Sequence, residues 1–267
     1  MLQGFFWEVM RRDPVLGYFG LANLVVAVVL IAGSFFNRRR VMGVNSLIKP
    51  TKFALSIGIL SCTMAWFTAD LQQDIGLAAY RWSMVGLLGF EIVYITAMGM
   101  AGRKSHYNVS SPLTSALHGL MGLAATIATL WTGFVGLQFV LQDLPGLPGY
   151  YRWSIALGSL LFAAFGMEGA LMGSRMSHTI EGPDGGSGLP FLNWSRTYGD
   201  ARIAHFVGMH ALQILPLASF YLLKDLRLTF VLAGLYGLLS LWTLALALRA
   251  RPLPGLGPKD RRGSAHI

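Results

Sequence analysis

Five of the chain's six histidines, His106, His118, His178, His205 and His210, fall between positions 106 and 210; only His266 lies elsewhere. Of its twelve acids, Glu91 and Glu168 sit well inside long apolar runs. A carboxylate in hydrocarbon is costly unless it is paired, protonated or metal-bound, so such groups are functional candidates by default. Neutral imidazole with carboxylate is a ligand set for Fe, Zn, Mn or Cu, and helical bundles build metal sites from inward-facing Glu and His on neighbouring helices. The expected metal ligands are therefore His118, His210 and Glu168, then His205 and Glu91, with His106 and His178 as outer or entry groups. No Glu-x-x-His pair and no His-Glu-x-x-His is present, so neither the usual di-iron pattern nor the zinc-protease pattern applies. The competing cofactor is b-type haem. His118 and His210 would be its axial ligands, and Arg103 and Arg175 would pair its propionates.

What must position these groups is a set of long uncharged stretches. Apolar residues make up 54% of the 267-residue chain and charged residues 12%, about half the charge of a soluble domain. That excludes a soluble core, a disulfide scaffold and a disordered chain. Seven stretches reach spanning length: Leu16–Phe36, Phe53–Ala69, Trp82–Ala101, Leu113–Leu141, Trp153–Gly173, Ile203–Leu223 and Leu228–Leu248. Roughly 20 residues of helix cross the hydrocarbon, and Phe53–Ala69 is the shortest. None shows the period-2 alternation of a barrel strand. The reading is an all-α, polytopic membrane bundle of seven transmembrane helices. Residues 1–15 form a short N-terminal segment, 16–248 the transmembrane domain, and 249–267 a disordered cytoplasmic tail rich in Pro and Gly.

Topology follows from the bases. Fifteen of the 21 Lys and Arg lie in the loops after spans 1, 3 and 5 and in the tail. Those segments are expected to face the cytoplasm, with the N-terminus outside, in a bacterial-type inner membrane. The net charge of +9 thus reads as a topology signal rather than nucleic-acid binding. No cleavable signal is evident, since the first apolar run is long enough to remain as a span. Cys62, the single cysteine, reads as a small hydrophobe. A retinal Schiff base is unsupported because Leu228–Leu248 holds no lysine.

The chain also repeats itself. Arg81-Trp82-Ser83 opens span 3, and Arg103-Lys104-Ser105-His106 follows it. Arg152-Trp153-Ser154 opens span 5, and Arg175-Met176-Ser177-His178 follows it. Each block leads through a proline-containing loop into a helix with an early histidine: His118, then His205 and His210. Spans 3–4 and 5–6 are expected to be duplicated hairpins of one orientation. At about 1.5 Å per residue, Glu168 and His118 lie about 8 Å deep, His210 about 11 Å, Glu91 roughly 15 Å and His205 about 3 Å. Glu168, His118 and His210 are thus expected in one layer near the cytoplasmic leaflet.

The long connection Ser177–Arg202 carries Gly182-Pro183-Asp184-Gly185-Gly186 turn chemistry. It reads equally as a lid over the histidines, through Leu189, Phe191, Leu192 and Trp194, or as a mobile loop. Pro216 should kink span 6. No nucleotide-binding glycine pattern is present.

The leading expectation is a membrane-bound oxidoreductase that uses a metal ion or b-type haem on a lipid-soluble substrate. The alternatives are a proton- or ion-coupled transporter or channel using Glu91 and Glu168, and a non-catalytic subunit of a membrane complex. Expected partners are the bilayer, a lipid-soluble substrate, and further copies or subunits. The substrate itself is not specified by any residue.

Overall fold

In the computed structural model, residues 2–73, 75–185 and 188–255 are described. The helices are α1 (Leu2–Arg12), α2 (Pro14–Phe36), α3 (Ile48–Thr68), α4 (Ile75–Met100), α5 (Pro112–Leu141), α6 (Gly149–Gly166), α7 (Glu168–Arg175), α8 (Ala201–Ala218) and α9 (Leu226–Leu248). A π-helical turn, Ser219–Leu223, extends α8. Two short antiparallel ribbons complete the order: β1 (Arg40–Val41) with β2 (Val44–Asn45), and β3 (Thr179–Ile180) with β4 (Gly199–Asp200). The chain is mainly helical, as a hydrocarbon solvent demands, because a helix satisfies its own backbone.

Six helical segments are long and apolar enough to cross a membrane: Pro14–Phe36, Gly76–Met100, Pro112–Leu141, Gly149–Arg175, Ala201–Leu223 and Leu226–Leu248. The expected count was seven. The difference is α3, which is long enough at 21 residues but carries Lys49 and Lys52 in its first turns and falls short in apolarity. It is nonetheless central. Ala54, Ile57, Ser61, Cys62, Met64, Ala65 and Thr68 are buried in it, and its face against α2 is among the most extensive in the molecule. Small residues allow that approach. A Cβ on Gly20 would meet the Cys62 sulfur at 2.7 Å, and one on Gly58 would meet Leu24 at 2.7 Å. Cys62 is buried and free.

The second tight layer joins α6 to α8 and α5. A Cβ on Gly158 would lie 2.7 Å from the Ala211 carbonyl, and one on Gly208 would lie 2.1 Å from the Phe165 ring. Neither position tolerates a side chain. Span 5 is broken: α6 stops at Gly166 and α7 restarts at Glu168, whereas α4 runs unbroken past Glu91. Span 6 keeps Pro216 within α8, and the π-helical turn follows directly.

Residues 2–12 of the short N-terminal segment form α1. It folds back so that Met10 packs on Gly17 and Phe5 stacks on Trp66. Residues 256–267, which include His266 and most of the expected tail, lie outside the described residues.

The bundle has two polar ends. At one, Asp13 caps α2 and binds the Arg81 guanidinium and the Thr68 hydroxyl. Arg12 there reaches Asp70 and the Trp66 carbonyl and lies over the Trp66 ring. At the other end lie the two ribbons, the starts of α3, α5 and α8, and the histidines.

Candidate functional site at the basic end

The described parts of the Ser177–Arg202 connection, residues 177–185 and 188–202, form a cover held at this end. Two buried or half-buried aspartates hold it. Asp184 accepts hydrogen bonds from the Ser177 hydroxyl (3.1 Å), the His178 amide (3.1 Å) and the Thr179 amide (2.9 Å). Asp200, 1% exposed, caps α8 and accepts from the Ser195 amide at 2.7 Å and from Arg202 Nε at 2.9 Å and Nη2 at 2.6 Å. The same Arg202 Nη2 donates to the Asn193 carbonyl at 2.6 Å. The β3–β4 ribbon closes the base, where Gly199 is needed because a Cβ would lie 2.1 Å from the Ala247 carbonyl. Trp194 packs on Phe206 of α8, and Lys52 of α3 reaches the Leu192 carbonyl at 3.5 Å.

Under and beside this cover stand three histidines and a tyrosine. The Tyr107 ring lies 4.9 Å from the His178 ring and 5.4 Å from His118. His106 lies 6.3 Å from both Tyr107 and His118, and 5.5 Å from Phe53. The Arg-x-Ser-His repeat thus brings both its histidines, His106 and His178, into one group. Lys49 stands over the Phe53 ring at 5.9 Å, within electrostatic range of Glu91, His106, His118 and His178.

Hydrogen bonding sets the tautomers. Carbonyl and carboxylate oxygens only accept, so an imidazole nitrogen facing one must donate. His178 Nδ1 faces Asp184 at 3.1 Å, His205 Nδ1 faces the Phe165 carbonyl at 2.9 Å, and His210 Nδ1 faces the Phe206 carbonyl at 2.7 Å. Each therefore presents a basic Nε2. His118 is the reverse, since its Nδ1 accepts the Tyr107 amide at 3.5 Å, which places its proton on Nε2. Burial holds His106 well below the ordinary imidazole range, helped by Lys49, His178 and His118. His178 is lowered by burial and by Arg202 and Lys49, against the opposing bond to Asp184. Burial alone would raise Asp184, but its bonds from His178 and Thr179 hold it well below the usual carboxylate range. Burial and Asp184 push Tyr107 up to about 12.

The other expected residues stand apart. His205 caps the carbonyl that the α6–α7 break exposes, with its ring beside Gly169. His210 is turned onto its own helix, its ring 4.0 Å from Phe206. Glu168 is 7% exposed, and neither carboxyl oxygen has a hydrogen-bond partner. His118, His210 and Glu168 therefore share no centre. Among the described residues no three of His, Cys, Asp and Glu are arranged to hold a metal ion. Arg103 and Arg175 are exposed on the rim.

Five members of the site, Lys49, Lys52, Tyr107, Asp184 and Arg202, were not singled out from sequence as site residues. One signal was available for Asp184: a turn-forming aspartate six residues after a histidine. Comparison with known proteins finds no family model, curated protein or solved structure that matches the chain.

Proposed function

We propose that the chain is a multi-pass inner-membrane protein that binds a lipid-soluble substrate at its basic end, with His178 as the proton acceptor there. The observation that carries this is the His178–Asp184 pair. A carboxylate that fixes Nδ1–H leaves Nε2 as a base aimed away from it, the arrangement in which histidine serves as general base and as metal ligand alike. Tyr107 and the cover shield that base from bulk water, and the apolar bundle delivers a substrate to it from the side. The topology goes with this reading: N-terminus outside, C-terminus cytoplasmic, the basic end facing the cytoplasm, and α3 as the seventh span. α3 is supported by its ends, since Asn45 and Ser46 before it meet Asn37 at the end of α2, while Thr68 at its close meets Asp13 before α2. It therefore runs the length of α2. Duplication of the hairpins is supported by Arg81 and Arg152 standing at one end and His106 and His178 at the other.

The test is retention of a small molecule. Protein purified in detergent, extracted into organic solvent and analysed by mass spectrometry should release one lipid-soluble compound in near-stoichiometric amount. His178→Asn and Tyr107→Ala should each release much less. Only bulk lipid, equal in all three, would overturn the reading.

A redox metal ion or b-type haem is the second reading. The His178 tautomer favours it, since an Nδ1–H held by Asp184 leaves Nε2 presented as in a ligating histidine. Elemental mass spectrometry on protein purified without chelator tests it. Near-stoichiometric iron, copper, zinc or manganese that disappears in His178→Ala supports it, and no metal before or after reconstitution removes it.

A further inference from the structure

The basic end holds more positive charge than the protein neutralises. Lys49 and Lys52 occupy the first two turns of α3, where the helix dipole already disfavours a cation. Among the described residues neither has a carboxylate within ion-pair distance; Lys52 has only a carbonyl at 3.5 Å. Both are half-buried, and Arg202 lies near each of them. Arg202 is tied to Asp200, and three imidazoles stand close by. Folding thus gathers like charges at a place that favours anions, which is uphill unless a further anion is present.

Beside these lysines runs a groove of about 270 Å³ between the β1–β2 ribbon and the cover, lined by Met42, Val44, Ile48, Leu189, Pro190 and Phe191 among others. Its lining side chains are apolar apart from Asn193, and Phe191 is 54% exposed. Its far wall is held by Lys52, which donates to the Leu192 carbonyl, and by Arg202, which donates to the Asn193 carbonyl. Apolar side chains next to Lys49 in sequence and to the Lys52–Leu192 contact fit an amphiphile with an anionic head.

We infer that Lys49 and Lys52 hold the phosphate head of a lipid whose chain lies against Met42, Ile48 and Phe191. This rests on the reading of the basic end as a substrate site and names the class of substrate. A phosphate monoester suits two ammonium groups better than a zwitterionic head does, because its charge is not internally cancelled. The neighbouring His178 Nε2 can accept a phosphate or hydroxyl proton.

The experiment is calorimetric titration of the detergent-purified full chain with three compounds: dihexanoyl phosphatidate, dihexanoyl phosphatidylcholine and inorganic phosphate. Saturable binding of phosphatidate is expected, with phosphatidylcholine and phosphate each weaker by about tenfold or more. Lys49→Gln/Lys52→Gln should weaken phosphatidate by about the same factor. Lys104→Gln, a charge change on the exposed rim, should not. Phosphate binding as tightly as phosphatidate would show a site for the free ion and overturn the lipid. Phosphatidate no tighter than phosphatidylcholine, or unaffected by the double substitution, would overturn the inference altogether. Neither failure touches retention of a compound by His178 and Tyr107, which is read separately by extraction. A far-ultraviolet spectrum of the double variant that matches the parent keeps a loss of binding from being a loss of fold.

Discussion

The two ends of this bundle carry similar residue types and use them in opposite ways. At the Asp13 end, charges come in pairs: Asp13 with Arg81, Arg12 with Glu8 and Asp70. Asp13 is 1% exposed, and besides Arg81 it binds the Thr68 hydroxyl and the Leu16 amide. One side chain thus ties α2, α3 and α4 together. At the basic end, Asp184 and Asp200 are satisfied in the same manner, but Lys49 and Lys52 have no carboxylate within ion-pair distance among the described residues and stand near three histidines. Paired charge braces a structure. Unpaired charge gathered by the same fold costs stability and is kept for something else.

That contrast is broken or sharpened by substitution. The largest effect is expected for Asp13→Ala. Removing one partner of a buried ion pair costs roughly 3–5 kcal/mol, so the thermal midpoint in detergent should fall sharply. A change no larger than that of an exposed rim substitution would mean the Asp13 end is no brace. Asp184→Asn comes next, at about 1–3 kcal/mol, because a carboxylate that accepts several bonds becomes a half-donor. Protease cutting within the cover should then speed up while the helices stay intact, and an unchanged cutting rate would show the cover is held by other means.

A third test uses pH. His106 and His178 are lowered from 6.5 in the folded chain, so the unfolded chain binds more protons as pH falls. Stability should therefore be full above about pH 6.5 and decline below it. Asp184, lowered from 3.8, adds a separate loss that begins only as pH falls through that value. Midpoints measured from pH 8 to pH 4 should show the first decline, and His106→Asn should flatten it. A flat profile in the parent would contradict the burial of these imidazoles. The smallest effect is expected for Lys52→Gln alone. Relief of like-charge crowding should leave the midpoint unchanged or raised by up to about 0.5 kcal/mol.

Much of the frame was legible in the sequence because hydrocarbon imposes one pattern, a run of apolar residues long enough to cross. The runs at α2, α4, α5, α8 and α9 read directly as helices for that reason. The break at Met167 was not legible, since it depends on α6 packing through Gly166 against Thr129 and on His205 capping the freed carbonyl. Helix α1 was not legible either, being short and held by Gly17 and Trp66 from other segments. At the candidate site, the Arg-x-Ser-His repeat supplies His106 and His178, which the fold brings beside Tyr107. Depth along a helix could not say which way a side chain turns. His210 lies near the depth of His118 but folds onto Phe206, and Glu168 meets neither. Lys49, Lys52 and Arg202 read as topology signals because a basic loop residue and a basic site residue look alike until the loop is closed over them.

The most direct measurement is the thermal midpoint of Lys49→Gln/Lys52→Gln against that of Asp13→Asn, in one detergent free of phosphate and anionic lipid. The two ends should respond with opposite sign: the lysine double variant at or above the parent, the Asp13 variant well below it. A double variant that falls as Asp13→Asn does would show that the lysines brace the fold, and would contradict an anion site at the basic end.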